Sequence, residues 1–204
     1  MRLPDFSFEK NLRSQAFLKI AGIDEVGRGS WAGPLVAAGV VLPDNFVPPE
    51  GFSESKSVSP RKRAEFAYLI DKAAIAISIA EVPADIIDKI GISKATDKAF
   101  RIVAGGFNPQ PDFFLLDAFY IKHFSKKKQL AIKKGDECSV SIAAASIIAK
   151  VYRDSLMIKV SKTFPLYGFG KHKGYGTRVH QEAIRKYGFT QIHRTSYNLN
   201  YLNS

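Results

Sequence analysis

Four carboxylates stand beside predicted strands, at positions where α/β proteins often carry out chemistry. Asp24 and Glu25 end an apolar run and lead directly into Gly27-Arg28-Gly29. Asp117 ends a second apolar run, and Asp136 lies just before the longest predicted helix. Ligands of open α/β sheets bind outside the carboxyl ends of the strands, so these side chains are candidates for one shared site.

Carboxylates that crowd together repel one another unless cations bind between them. Their hard oxygen atoms suit Mg²⁺ or Mn²⁺, and two such ions can activate water and stabilise the leaving oxygen of a phosphodiester. The residues therefore favour metal-dependent hydrolysis of a polyanion. A simpler interpretation stays open, because a strand-end Asp is more often a turn or helix cap, and Asp136 directly follows Gly135.

The spacing of Asp24 and Glu25 sets a condition on any shared site. Neighbouring residues of a strand point to opposite faces of the sheet, so the chain must bend there, as Gly27 and Gly29 would allow. The same glycines, with Ala32, loosely match a dinucleotide-binding pattern. That motif must open a helix, whereas a strand-like apolar segment follows here, and the cofactor interpretation is therefore disfavoured.

The basic charge of the chain is concentrated in its second part. The 204 residues carry a net charge of +11, from 30 Lys and Arg against 19 Asp and Glu. Residues 1–119 carry a net charge of −1, and residues 120–204 carry a net charge of +12. This asymmetry predicts a polyanionic partner, most often nucleic acid, although a solvated basic face would look the same.

Apolar periodicity predicts strands interleaved with helices, which indicates an α/β domain with a mixed sheet. Strands are predicted at residues 17–23, 35–42, 74–82, 113–116 and 129–132. Helices are predicted at residues 60–73, 84–90, 94–104, 139–162 and 178–186, and a loop at residues 168–176. One face of the longest helix is predicted to carry Ile142, Ala145, Ala149, Tyr152, Leu156 and Val160.

Length and composition limit the kind of protein. With 46% hydrophobic residues, the chain can form a sizeable core, and we expect a single domain over residues 1–204. The single cysteine, Cys138, excludes an intramolecular disulfide and a cysteine-rich zinc cluster. No signal peptide or membrane-spanning stretch is recognised, so we expect a cytoplasmic protein without a membrane partner, and a monomer.

Several motifs together resemble the ribonuclease HII family of type 2 ribonucleases H. The segment Ala21-Gly22-Ile23-Asp24-Glu25-Val26-Gly27-Arg28-Gly29 closely resembles the signature that opens that family. Further resemblances follow in the family's order: Glu54-Ser55-Lys56, Gly91-Ile92-Ser93-Lys94-Ala95-Thr96, Leu116-Asp117-Ala118, Lys134-Gly135-Asp136, residues 143–154, Lys173-Gly174-Tyr175-Gly176-Thr177 and His193-Arg194. Glu54, Ser93 and Tyr197 depart from the usual residues, and none of these departures removes a predicted carboxylate.

The resemblance implies a ribonuclease H-like fold, in which helices flank a mixed five-stranded sheet and a C-terminal helical part follows. It implies a core at residues 17–165 and a substrate-contacting segment at residues 166–204. The implied enzyme is an endonuclease that cuts the RNA strand of RNA–DNA hybrids. It would also cut 5′ of single ribonucleotides embedded in duplex DNA, leaving 5′-phosphate and 3′-hydroxyl ends.

The resemblance also assigns roles to individual residues. Catalysis and the binding of two Mn²⁺ or Mg²⁺ ions are expected from Asp24, Glu25, Asp117 and Asp136. Substrate contacts are expected from Gly27, Arg28, Gly29, Lys56, Lys150, Lys173 and Tyr175. The glycine loop would read the ribose, because glycines allow close approach to a 2′-hydroxyl. Tyr175 would pack on the sugar that follows the ribonucleotide, and the lysines would contact phosphates.

Two other functions stay open from the residues alone. A non-catalytic basic module would use the carboxylates as caps and bind nucleic acid in a salt-sensitive way, without metal-dependent cleavage. A different nuclease or polynucleotide transferase on the same fold would not require a 2′-hydroxyl. Incubation with a duplex carrying one ribonucleotide, with and without metal, distinguishes these three functions.

Overall fold

Five strands form one mixed sheet in the computed structural model, which describes residues 3–199 and 202. The strands are β1 (Ile20–Val26), β2 (Leu35–Val41), β3 (Ala76–Val82), β4 (Phe113–Asp117) and β5 (Gln129–Ile132). Their order across the sheet is β3-β2-β1-β4-β5. β2 is antiparallel to β1 and β3, whereas β1, β4 and β5 run parallel to one another. The carboxyl ends of β1, β4 and β5 therefore meet at one edge of the sheet.

Seven helices accompany the sheet in the described residues: α1 (Ser7–Arg13), α2 (Pro60–Ala73), α3 (Ala84–Ile90), α4 (Ile92–Gly105), α5 (Val140–Thr163), α6 (Phe169–His172) and α7 (Arg178–Tyr187). Short 3₁₀ turns lie at Lys126–Lys128, Gly135–Glu137, Pro165–Tyr167 and Thr195–Tyr197. The start of α2 follows from local sequence, since the Ser59 side chain accepts a hydrogen bond from the Lys62 backbone and Pro60 takes the first helical position. In the described part of the chain, no helix has the length and apolar character needed to cross a membrane.

Helices cover both faces of the sheet, and β2 shows why its sequence is a continuous apolar run. Leu35 and Ala37 face a core shared with residues of α4, such as Phe100. Val36 and Ala38 face a second core, which contains residues of α2 and α5. Because both faces of β2 are buried, every successive residue of the strand is apolar.

The first part of α5 lies very close to β1. A Cβ atom at Gly22 would overlap the backbone of Ser141 and Ile142. Four alanines of α5, at residues 143, 144, 145 and 149, are fully buried in the core on this side of the sheet. α5 then continues alongside β1, and the Ser146 side chain reaches the carboxylate of Asp24. This close packing sets the distance between the helix and the strand end.

The predicted mixed five-stranded sheet with flanking helices is confirmed. Every predicted strand and helix is present, with ends that shift by at most three residues. The largest shifts are at the two ends of β1, which runs from Ile20 to Val26 rather than from residue 17 to residue 23. The backbone N–H groups of Leu18 and Lys19 donate to the Asp112 carboxylate, at 3.1 and 2.8 Å, before the chain joins the sheet.

Three local features differ from the sequence predictions. The predicted loop at residues 168–176 contains the short helix α6, and α1 lies in a segment where no element was predicted. The predicted apolar face of α5 is wrong at Tyr152, which is 38% exposed. Beyond Ala149 the buried side chains of α5 are those of Arg153 and Met157. Apolar spacing alone does not place a charged side chain in the interior, which explains the error.

We expect Gly22→Ala to lower the free energy of unfolding by about 3 kcal/mol, because the added methyl group would push α5 away from β1. Gly105→Ala is the matched control, since it adds the same group at the end of α4, where no neighbouring atom lies within 4 Å. Urea unfolding of both variants measures the difference. Equal unfolding free energies would contradict the close contact.

Candidate active site

All four predicted carboxylates line one cavity of about 490 Å³, which we call the central cavity. Asp24 and Glu25 come from the end of β1, and Asp117 from the end of β4. Since these two strands are parallel and paired in register, Asp24 and Asp117 lie at the same level of the sheet. Asp136 comes from the 3₁₀ turn between β5 and α5. The structure thus brings together the residues that the sequence assigned to one site.

Most of the predicted substrate-contacting residues line the same cavity: Gly27, Arg28, Gly29, Lys56, Lys150 and Tyr175. Lys173 is the exception. It lines a neighbouring cavity of about 600 Å³, which also contains Lys150 and Tyr175. The predicted set is therefore divided between two adjoining cavities that share two residues.

The turn after β5 holds Asp117 and Asp136 in place. The Gly135 backbone donates a hydrogen bond to Asp117 Oδ1 at 2.7 Å. Lys134 adopts a φ of 56°, in the left-handed region, and this conformation turns the chain back towards β4. Asp136 is largely buried, and its side chain lines the central cavity. It therefore occupies a different environment from that of a solvated turn residue.

Asp24 and Glu25 share the cavity although they are neighbours on a strand. Asp24 Oδ1 accepts a hydrogen bond from the Glu25 backbone at 2.7 Å. β1 ends at Val26, and the chain then turns at Gly27, which has a φ of 91°. The bend expected from the glycines thus lies immediately after the two carboxylates, at the strand end where both reach the cavity.

Burial and mutual repulsion raise the pKa values of the carboxylates. Burial is the main reason that the pKa of Asp24 lies well above its usual value, and the charges of Glu25 and Asp117 add to it. Burial raises the pKa of Glu25 to about 7, although Arg28, 3.6 Å away, opposes the shift. Burial also raises the pKa values of Asp117 and Asp136. A bound cation relieves this kind of crowding.

The donor set of the cavity fits a hard divalent cation. Glu25 Oε2 is buried and finds no hydrogen-bond partner among the described residues. Four carboxylates at one cavity supply the oxygen ligands that Mg²⁺ and Mn²⁺ prefer. No three His, Cys, Asp or Glu side chains of residues 3–199 and 202 are already arranged to hold a metal ion. The four carboxylates therefore lie close enough to repel one another, but they are not placed around one point as in a formed metal site.

A buried guanidinium joins the glycine loop to the segment that carries Tyr175. Arg153 of α5 is fully buried. It donates hydrogen bonds of 2.7–3.0 Å to Ser30 Oγ, Pro34 O and Lys173 O. A Cβ atom at Gly27 would overlap the Arg153 side chain, so the glycine permits this approach. Burial lowers the pKa of Arg153 to about 10, and the group stays charged at neutral pH. Sequence analysis gave it no role.

Arg194 holds the glycine loop from another side. Its guanidinium donates to Gly33 O at 2.8 and 3.0 Å and to Arg28 O at 3.0 Å. The Tyr197 hydroxyl donates to the same Arg28 carbonyl at 2.6 Å. Arg194 of the His193-Arg194 motif, to which the sequence assigned no chemical role, thus fixes the backbone of the loop.

Two buried histidines hold the backbone of Tyr175. His193 Nδ1 accepts a hydrogen bond from the Thr190 backbone at 2.8 Å, so its Nε2 carries the proton. That Nε2 donates to His180 Nε2 at 3.0 Å, and His180 Nδ1 donates to Tyr175 O at 3.0 Å. Burial lowers the pKa of both histidines to about 4. Both rings are therefore neutral at pH 7, as this series of hydrogen bonds requires.

Solved structures share this fold. Ribonuclease H2 of Pyrococcus horikoshii OT3 superposes with a TM-score of 0.72 at 25% identity, over 90% of this chain and 97% of that one. Bst-RNase HIII, solved in complex with Mn²⁺, gives a TM-score of 0.75 at 18% identity, over 91% of this chain and 68% of that one. The sheet, its flanking helices and the carboxylates at the strand ends define the class of ribonuclease H-like nucleases.

Sequence relatives identify the family within this class. The family described as Ribonuclease HII matches residues 21–200. Ribonuclease HII of Acetivibrio thermocellus is 45% identical over 196 residues, which are 96% of this chain and 75% of the relative. The chain belongs to the ribonuclease HII family. Membership makes it a hydrolase of the ribonuclease H type, and this counts against a non-catalytic binding module.

We expect Glu25→Gln to stabilise the metal-free protein at pH 8, by up to about 3 kcal/mol. The pKa of Glu25 is about 7 in the folded protein against 4.5 ordinarily, so the parent loses stability as the pH rises from about 4.5 through about 7. The glutamine removes that loss, and its advantage should disappear towards pH 4.5. Urea unfolding of the parent and the variant in EDTA, from about pH 4.5 to pH 8, measures the difference in unfolding free energy.

Glu65→Gln serves as the control, because Glu65 is an exposed carboxylate on α2, in an ion pair with Arg61. Exposed pairs of this kind contribute roughly 0.5 kcal/mol, so this variant should stay close to the parent at every pH. A Glu25→Gln protein that is less stable than the parent at pH 8 would show that the cavity does not penalise the charged carboxylate.

Proposed function

We propose that this chain is an endonuclease that cuts the RNA strand of RNA–DNA hybrids and cuts 5′ of single ribonucleotides in duplex DNA. Its products would carry 5′-phosphate and 3′-hydroxyl ends. The observation that carries the proposal is the single cavity in which four carboxylates meet the Gly27-Arg28-Gly29 loop and Tyr175. Groups suited to phosphodiester hydrolysis and groups suited to reading a sugar thus face the same space.

Asp24, Glu25, Asp117 and Asp136 would hold two Mg²⁺ or Mn²⁺ ions. When bound, such ions supply an activated water and stabilise the departing 3′ oxygen. The raised carboxylate pKa values support this assignment, as does Glu25 Oε2, which has no hydrogen-bond partner within residues 3–199 and 202. Ser146 lowers the pKa of Asp24, which partly opposes the larger effect of burial.

The glycine loop would recognise the ribose. Gly29 is exposed, and a Cβ atom placed on it would meet no atom within 4 Å, so the backbone is open to a ligand. The hydrogen bonds of Arg194 and Tyr197 to Arg28 O hold the loop in one shape. A rigid backbone can offer both donors and acceptors to a 2′-hydroxyl, which distinguishes RNA from DNA.

The three lysines proposed to contact phosphates differ in their surroundings. Lys56 is exposed at the central cavity. Lys150 forms an ion pair with Asp154 at 2.8 Å, and Lys173 Nζ donates to Gly170 O. We therefore assign the most direct phosphate contact to Lys56. Lys150 and Lys173 would have to exchange their present partners for a phosphate. Lys173 lies in the proposed substrate-contacting segment at residues 166–204, and Lys150 lies on the neighbouring helix α5.

The decisive experiment is cleavage of a duplex that carries one ribonucleotide, with the cut position mapped. We expect cleavage 5′ of the ribonucleotide in Mg²⁺ or Mn²⁺, none in EDTA, and none of an all-DNA duplex. Asp117→Asn should reduce the rate by at least about 100-fold, because a charged ligand of the reacting centre is lost.

Asp44→Asn controls for the loss of a carboxylate as such, since Asp44 is exposed and paired with Arg13. It should cut at the parent rate. Both variants should keep the parent's circular dichroism spectrum. A folded Asp117→Asn protein with near-normal turnover would overturn the proposed catalytic site, and cleavage of the all-DNA duplex would overturn the recognition of a 2′-hydroxyl.

Tyr175→Ala should lose most activity on a single embedded ribonucleotide, whereas Tyr175→Phe should retain more. The Tyr175 ring lies 5.6 Å from Arg153 Cζ and 6.0 Å from Lys150 Nζ, at the border of two cavities. From there an aromatic face could pack on the deoxyribose that follows the ribonucleotide. Rates on single-ribonucleotide and all-RNA hybrid substrates test this role. An alanine variant as fast as the parent on the single-ribonucleotide duplex would exclude it.

A further inference from the structure

A second cavity of about 350 Å³ adjoins the central cavity, and Arg28 lines both. We call it the aromatic pocket; its lining includes Arg28, Ser93, Thr96, Phe119, Tyr120 and Lys122. The central cavity also shares Lys150 and Tyr175 with the third cavity, which has no lining residue in common with the aromatic pocket. The three cavities therefore form a row, with the carboxylates in the middle.

The two aromatic rings of the pocket are exposed for a local reason. β4 ends at Asp117, and Ala118 then adopts a φ of 56°, so the chain turns sharply at the strand end. Phe119 and Tyr120 are 41% and 50% exposed, whereas the next residue, Ile121, is buried. Two neighbouring aromatic side chains, two and three residues after a proposed metal ligand, are therefore exposed at the pocket.

The segment that carries these rings is firmly anchored. The Gln129 side chain accepts from the Ile121 backbone at 2.8 Å and donates to Ile121 O at 3.1 Å. Asp97 Oδ1 accepts from the Lys122 backbone at 2.7 Å, and Arg101 donates to Lys122 O at 2.9 Å. The rings are thus presented by a fixed segment and are not covered by the core.

Positive charge accompanies the aromatic surface. The Arg28 guanidinium carbon lies 4.3 Å from the Phe119 ring centroid, a cation–π contact. Lys122, which also lines the pocket, is exposed. Aromatic faces with neighbouring cations are the combination that binds single nucleotides of a strand, because every base has a π face and every link has a phosphate.

We propose that the aromatic pocket binds a nucleotide of the cleaved strand on the 5′ side of the cut. Its base or sugar would pack on Phe119 and Tyr120, and its phosphate would lie near Arg28 and Lys122. The 5′ side follows from the row of cavities, since the pocket lies across the central cavity from Tyr175, which faces the sugar on the 3′ side. The inference rests on the proposed function and extends it to a further substrate position.

The test measures the dissociation constant of a labelled single-ribonucleotide duplex by fluorescence anisotropy in EDTA, where no cleavage takes place. The 5′ arm is the part of the duplex on the 5′ side of the ribonucleotide. When this arm is long, Phe119→Ala and Tyr120→Ala should each bind about 10-fold more weakly than the parent, the value of one stacking contact. With the 5′ arm shortened to end at the ribonucleotide, the parent should bind as weakly as the variants. Shortening the 3′ arm should weaken parent and variants equally.

Tyr68→Ala is the control, because Tyr68 is an exposed aromatic residue on α2 and lies outside the three cavities. It should leave the dissociation constant unchanged, and Phe119→Tyr should bind like the parent. Unchanged binding by Phe119→Ala and Tyr120→Ala, or a loss that survives removal of the 5′ arm, would overturn the inference. Failure of the parent to cleave in Mg²⁺ would instead overturn the proposed function, since the binding test does not depend on cleavage.

Discussion

The buried charge of Arg153 is the interaction on which the arrangement of the site depends. Removing a guanidinium from water is costly, and its hydrogen bonds must compensate for that cost. The acceptors come from two distant segments, with Ser30 and Pro34 on one side and Lys173 on the other. A single side chain of α5 thereby fixes the glycine loop and the Tyr175 segment relative to the carboxylates of the sheet.

A second set of polar contacts completes this frame from the C-terminal side. The neutral pair of His180 and His193 links the Thr190 backbone to Tyr175 O, and Arg194 holds the glycine loop. Tyr175 is therefore held through its backbone, while its ring stays at the cavity. The C-terminal segment contributes one residue to the cavity and several that determine where that residue lies.

The sequence predicted the parts of the molecule that depend on local pattern. Apolar runs located all five strands, and carboxylates at strand ends located the central cavity, because parallel strands bring their ends to one edge. The sequence did not reveal Arg153 as a buried residue, since helical spacing identifies apolar faces and this side chain is charged. The roles of His180 and His193 depend on hydrogen bonds that form only when α7 and the segment after it pack together, and residue spacing does not encode this packing. α1 was missed because its segment is polar and lies outside the recognised motifs.

The absence of a side chain at Gly22 has a consequence for the electrostatics of the site. With α5 packed closely against β1, Asp24 is buried among protein atoms of low dielectric constant and is only 5% exposed to solvent. Charges that are poorly screened by solvent influence one another strongly. If the four carboxylates hold cations as proposed, a cation bound at one of them would change the proton affinity of the others, and the four groups would respond to ions together.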